Sequence, residues 1–384
     1  MHCLYFPPEV GGLESHVYYL CRGLVKRGCR VWVVTSRSQR GLPIHEVMDG
    51  IEVWRTWLPA RNPIGWAVHG GVSTPTLIGI ARKADVMHAQ AFQSVLPGVV
   101  AKQANRIPLV STWHTSHFLK RAASPFWRPI FQRLLAWSDY NLAASAEIAD
   151  VAEGLAPGIS VEALTNGVET EIFHRCEPSL PATTRRRIIV PRRLFQKNGV
   201  DFFLRAMPLI AERVDVEAVI VGDGPERRQL EALAANLALG ERVRFMGARR
   251  HDEMPGLLSG AELAVFPSLM EATSIAALES MACELPVAAS EVGGLPEIVD
   301  AEVGALFEAG NPAALAATVT SLLERDDLRM LGEAARSRVV ERWSNARLVD
   351  RHLEVYQGLL GRSQDQGHDQ GSKRVPDPSG ESGC

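Results

Sequence analysis

Glu271 and Glu279 lie in the segment PSLMEATSIAALE at 267–279. Glu271 falls in a loop after a strand that ends at Pro267. Thr273 or Ser274 can cap the helix that follows, and the free N–H groups of such a helix start can bind phosphate. Glu279 sits one to two turns into that helix, so it can reach a different part of the same ligand, and a carboxylate bonds well to paired sugar hydroxyls. Taken alone, a loop acid and a helix-surface charge explain the pair more simply. Arg193 and Lys197, in RLFQKNG at 193–199, follow another strand end. Two cations there could clamp a diphosphate and stabilise it as it departs, the guanidinium as a fork of donors and the ammonium as a compact charge. A bare R-x3-K pair, by itself, is more often solvated surface charge. Gly11 and Gly12, in PPEVGG at 7–12, stand between a short strand and a helix opening at about Leu13. They allow close backbone approach to an anion at a helix N-terminus, and a ligand-free tight turn explains them equally well. The segment VGDGP at 221–225 is turn chemistry first. It lacks the third glycine and the following acidic residue of a dinucleotide site, which argues against a nicotinamide or flavin enzyme. No His, Asp or Glu cluster has metal-ligand spacing, and His114 and His117 have no third ligand nearby, so no metal is expected.

These loops need a scaffold of strands and helices. Apolar runs at Val31–Val34, Ile51–Trp54, Asp85–His88, Leu109–Trp113 and Tyr140–Ala144 read as strands, separated by amphipathic stretches such as His16–Arg27 and Thr74–Lys83. The pattern breaks at His174–Arg187 and resumes with strands at Arg187–Pro191, Ala218–Val221, Val243–Met246, Leu263–Pro267 and Val287–Ser290. Such alternation predicts α/β architecture: two doubly wound Rossmann-like domains facing an interdomain cleft, with ligands at the carboxyl ends of the strands. The expected division is an N-terminal domain over 1–173, a linker over 174–187, a second domain over 188–340, a helix over 341–362 that could pack on either domain, and a disordered polar tail over 363–384. Residues 3–6 make a strand shorter than the usual five or six residues, which suggests missing upstream residues or a misassigned start.

Composition narrows the class. A chain of 384 residues with 46% hydrophobic and 22% charged residues suits two globular cores. A net charge of −3 provides no basic field for nucleic acid. The six cysteines form no CxxC pair and read as reduced cytosolic thiols, mostly core filler. No apolar run is long enough to span a bilayer, so the expected location is the cytoplasm, with the inner membrane face as an alternative.

The motifs together resemble, in order and over nearly the whole chain, the retaining GT-B glycosyltransferases of family 4, also called glycosyl transferases group 1. The matching pieces are YFPPEVGGLESHV at 5–17, DVMHAQ at 85–90, STWHTSH at 111–117, TNGVETEIF at 165–173, RRLFQKNGVD at 192–201, VGDGPER at 221–227, VRFMGARR at 243–250 and the long run from Pro267 to Val299. The resemblance implies transfer of a hexose-type sugar from a UDP- or GDP-linked donor to a glycan or lipid-linked acceptor, with no further cofactor. It implies that Glu271 touches the transferred sugar and Glu279 the ribose, that Arg193 and Lys197 hold the diphosphate, and that Gly11 and Gly12 lie under the phosphates. His114 would stand near the reacting sugar, and Met246 and Gly247 near the base. Ile275 and Ala276, after Thr273 and Ser274, would add backbone N–H groups.

Several positions depart from the family pattern. Arg192 stands where glycine is common and Gln90 where a second histidine often follows His88. Ala272, Thr273 and Ser274 replace a frequent Gly-Phe-Gly, and Glu284 replaces a glycine between helix and strand. A left-handed backbone at Glu284 would cost about 1 kcal/mol. The stretch His117–Tyr140 interleaves Lys120, Arg121, Arg128 and Arg133 with apolar side chains. It reads more simply as a core-facing helix with a basic outer face than as a peripheral membrane contact. A nucleotide-sugar epimerase and a non-catalytic sugar-nucleotide-binding subunit are the rival functions on the same scaffold.

Overall fold

Most of the apolar runs pair as parallel strands in the computed structural model, which describes residues 1–9, 11–114, 116–165, 167–271 and 274–369. In the N-terminal half, β1 (Val31–Arg37), β2 (His45–Met48) and β3 (Ile51–Trp57) lie in the order β1-β3-β2, with β2 antiparallel at the edge. The strands β4 (Met87–Gln90), β5 (Leu109–Trp113), β6 (Tyr140–Ala143) and β7 (Val161–Ala163) follow as a parallel set. Residues 1–4 join the two sets. His2 bridges Val34 on one side and Ala89 on the other, with its N–H donated to the His88 carbonyl at 2.9 Å. The short apolar start of the chain therefore occupies the middle of the sheet.

The C-terminal half holds β8 (Arg186–Pro191), β9 (Val216–Val221), β10 (Val243–Gly247), β11 (Leu263–Phe266), β12 (Val287–Ser290) and β13 (Gly304–Phe307). They form one parallel sheet in the order β10-β9-β8-β11-β12-β13. Strand order reverses between β8 and β11, which makes that boundary the ligand-binding crevice of an open sheet. Two apolar clusters, one on each face, bury this sheet, with Phe203, Met207 and Leu322 on one side and Leu278, Met281 and Leu295 on the other.

Some elements differ from expectation. The strands β2, β7 and β13 are absent from the apolar pattern because they are short and only partly buried. The helix expected over Thr74–Lys83 runs over Pro63–Ala81, with Pro63 in its first turn and the Asn62 side chain accepting from the Gly65 N–H at 2.8 Å. Gly70, Gly71 and Pro75 break its apolar pattern and hide its start. The expected linker ends inside β8, where Arg187 is buried and donates from Nε to Glu217 Oε1 at 2.6 Å. The last helix, Asn345–Asp369, continues past the expected end at Arg362, and residues 370–384 lie outside the described residues. It packs on the N-terminal half, with Val355 and Leu359 against Val110 and Leu142. In the basic stretch, Phe118, Phe131 and Leu135 are core, and Phe126 and Trp137 remain exposed. Cys3, Cys21 and Cys283 are buried free thiols.

Glu284 has φ 62, so a side chain does occupy the left-handed region between the helix Ile275–Ala282 and β12. Glu284→Gly is expected to raise unfolding stability by about 1 kcal/mol. A denaturation midpoint that stays the same or falls would contradict this account.

Candidate active site

The site grows from two neighbouring strand ends. After β8 the chain makes a short turn of helix over Gln196–Asn198, with Lys197 inside it and Arg193 three residues before its start. After β11 it runs back alongside, and the N–H groups of Leu269 and Met270 donate to the Lys197 carbonyl at 2.8 and 3.2 Å. Gly199 (φ 62) permits this approach, since a Cβ there would overlap the Pro267 carbonyl. Gly293 (φ 53) does the same from below, because a Cβ would overlap the Glu271 carbonyl oxygen. The turn at 221–225 backs the first loop, with the Leu194 N–H donated to the Asp223 carbonyl at 3.0 Å. That segment, read from sequence as turn chemistry, holds the Arg193 backbone in place.

Arg193, Lys197 and Glu271 thus share one crevice. Glu271 is ion-paired with Arg192, and the two side chains are only 14% and 9% exposed. Arg192 also donates to Asn198 Oδ1 at 2.8 Å and to Ser274 Oγ at 3.3 Å. Burial lowers the Lys197 pKa below the ordinary lysine value. Glu271 pulls it back up, whereas the charges of Arg193, Arg192 and Lys120 push it further down. Four cations therefore converge where an anion would be welcome.

Ser274 caps the helix Ile275–Ala282, with Oγ accepting from the Ala277 N–H at 3.4 Å. Its hydroxyl is engaged by the cap and by Arg192, and Ile275 and Ala276 open the helix. Thr273 lies outside the described residues. Glu279 accepts from His251 Nε2 at 2.7 Å, and His251 Nδ1 lies 3.1 Å from the Tyr19 hydroxyl in the N-terminal half. Burial disfavours the His251 charge, but the Glu279 carboxylate outweighs it and raises the ring pKa above its ordinary value. Sequence reading missed Arg192 as a contributor, and it missed Asn198, His251 and Tyr19 altogether. Their partners are distant in sequence, so no local pattern marks them.

The facing wall comes from the N-terminal half. Gly11 precedes the helix Gly12–Lys26 in an extended conformation, so neither it nor Gly12 is needed for a left-handed turn. They provide space instead. A Cβ on Gly11 would overlap the Glu14 carboxylate, and one on Gly12 would lie 3.4 Å from Ile275 Cδ1 across the cleft. Burial raises the Glu14 pKa, while Arg193 opposes that shift. Val10 lies outside the described residues. Elsewhere across the cleft, burial raises the Glu297 pKa, while the backbone at the start of the helix Ala146–Leu155 opposes that shift.

His114 follows β5 and is buried, with Nε2 2.8 Å from Gln90 Oε1. Burial, helped by His352, pushes its pKa down to about 3, so it is a neutral donor rather than an acid near neutral pH. Gln90 also reaches His88 Nε2 at 3.3 Å. Met246 is half-buried, and Gly247 (φ 71) accepts from the Gly222 N–H at 2.9 Å beside the Asp223–Arg227 ion pair at the end of the sheet. Among the described residues no group of three or more His, Cys, Asp or Glu could hold a metal ion, and no helix is long and apolar enough to cross a membrane.

The family model for Glycosyltransferase Family 4 matches residues 10–172, and that for Glycosyl transferases group 1 matches residues 176–338. An uncharacterized glycosyltransferase of Methanocaldococcus jannaschii is 28% identical over 93% of this chain and 98% of its own length. The N-acetyl-alpha-D-glucosaminyl L-malate synthase of Bacillus anthracis is 25% identical over 92% of this chain and 95% of its own. Among solved structures, sucrose-phosphate synthase from Thermosynechococcus elongatus superposes with a TM-score of 0.81 at 22% identity, covering 94% of this chain and 96% of that one. With two Rossmann-like domains, an interdomain cleft and both family models matched in sequence order, the chain belongs to the GT-B glycosyltransferases related to the group 1 and family 4 enzymes.

Proposed function

We propose that this glycosyltransferase moves a hexose-type sugar, with retention of configuration, from a UDP- or GDP-linked donor to a glycan or lipid-linked acceptor. The observation that carries this reading is the joining of the Arg193–Lys197 loop to the Glu271 loop, with Gly11 and Gly12 on the opposite wall. In this reading Arg193 and Lys197 hold the diphosphate and Glu271 accepts from sugar hydroxyls. Glu279 meets the ribose, and Met246 and Gly247 lie near the base. Transfer breaks the bond between the anomeric carbon and the diphosphate oxygen and forms one to the acceptor oxygen on the same face. The acceptor proton passes to the departing diphosphate. The chain's part is to align the two ligands and to stabilise the charge that develops on the leaving group. Neutral His114 donates its Nε2–H to Gln90 Oε1, which leaves Nδ1 to accept a hydrogen bond near the sugar and no proton to transfer. Cations at the diphosphate take the place of a metal. The N-acetyl-alpha-D-glucosaminyl L-malate synthase among the relatives, named for a glucosaminyl group, supports a hexose-type donor. The family match favours transfer over the epimerase and non-catalytic readings. Action in the cytoplasm, at the membrane face where the acceptor is lipid-linked, belongs to the same proposal. Exposed Phe126 and Trp137 are the side chains of the basic stretch left to meet a lipid surface.

Arg193→Ala and Lys197→Ala should each weaken binding of UDP or GDP in a thermal-shift titration and lower turnover by about a hundredfold. Unchanged kinetics in both would remove them from the site. Glu271→Ala should impair binding and transfer of the nucleotide sugar while leaving bare nucleotide binding nearly intact. An equal loss for both ligands would mean that it does not meet the sugar. Activity should persist in EDTA, and its abolition with recovery on adding Mg²⁺ would overturn the metal-independent reading.

A further inference from the structure

We infer that Arg192 is a positioning residue for sugar recognition, acting through Glu271; the inference rests on the proposed contact between Glu271 and the sugar. Arg192 stands at the end of β8 with its guanidinium buried over the Phe266 ring of β11, 5.7 Å from the centroid. One planar fork reaches three residues on two segments. Nη2 pairs with Glu271 Oε2 and donates to Asn198 Oδ1 at 2.8 Å, and Nη1 lies 3.3 Å from Ser274 Oγ. A guanidinium donates in fixed directions, so anchoring it at Asn198 and Ser274 sets the plane of the carboxylate that it binds. Oε2 of Glu271 is engaged by Arg192, and among the described residues no hydrogen bond reaches Oε1, so Oε1 is the oxygen free to accept from a ligand hydroxyl.

There is a competitor for Glu271. The Lys197 ammonium is close enough for the two charges to act on one another. Lys197 is needed at the diphosphate, and pairing with Glu271 would take both groups out of use. Arg192 resolves this competition, because its fork is pre-anchored whereas the lysine stem is flexible. Arg192 and Ser274, two of the positions where this chain departs from its family's pattern, are in contact with one another. They form one local solution for holding Glu271.

The test is a double-mutant cycle of Arg192→Gln and Glu271→Gln. Affinities are measured for bare UDP or GDP and for the UDP- or GDP-hexose that the wild-type chain binds, together with kcat and KM. Arg192→Gln should reduce the preference for nucleotide sugar over bare nucleotide by roughly tenfold or more, the scale of a charge-assisted hydrogen bond. In the Glu271→Gln background it should cost less than about threefold further. Arg192→Lys, which keeps the charge and loses the fork, is read in the same way should the glutamine variant fail to fold. Equal losses for bare nucleotide and nucleotide sugar, or losses that multiply in the double variant, would overturn the role of Arg192. Were Glu271→Gln alone to leave the preference unchanged, the reading of Glu271 would fall and this inference with it. A loss in Glu271→Gln but none in either Arg192 variant would overturn this inference alone.

Discussion

The two backbone bonds from Leu269 and Met270 to the Lys197 carbonyl are the constraint on which the site depends. They fasten the loop after β8 to the loop after β11 at the point where strand order reverses. A parallel sheet alone would leave those loops adjacent but independent. Once they are fastened, Arg193, Lys197 and the Glu271 carboxylate have fixed relative positions. The cost is tight backbone packing, which is why side chains are missing at 199 and 293. Removing one partner from a buried ion pair such as Arg192–Glu271 costs about 3–5 kcal/mol, so the charge arrangement resists rearrangement once formed.

The two halves meet through polar contacts around an open cleft and through one helix that crosses back. The helix Asn345–Asp369 buries Val355 and Leu359 in the N-terminal half, which ties the chain's end to its beginning. Across the cleft, Tyr19 meets His251, which in turn holds Glu279. The group expected at the ribose is therefore connected to the opposite domain. Contacts of this kind are more easily broken and remade than an apolar interface, which suits a cleft that must admit two ligands.

Much of the fold was legible because buried parallel strands are continuous apolar runs. Leu109–Trp113 and Val287–Ser290 coincide with the strands read from sequence. Edge and short strands escaped, since β2 is half exposed and β7 has three residues. The helix Pro63–Ala81 was read too short because glycines and a proline blur its period, although Asn62 is a good N-cap. The departure at Glu284 was read correctly as a candidate for left-handed strain, since it is a side chain where the family has glycine.

The sequence by itself determined the class of reaction, because each motif is a contiguous segment at the end of its own strand. It also narrowed the helix cap to Thr273 or Ser274 and marked the neighbouring cations, which are local features. Only the tertiary structure decided which charges meet. Arg192 and Glu271 are 79 positions apart, and Tyr19 and His251 are 232 apart. Their pairing follows from strand order and domain packing, and no local spacing encodes either. Sequence proposes the Glu271–Glu279 segment as a sugar-nucleotide wall, but Arg192 and His251, brought in by the fold, set how its two carboxylates are held.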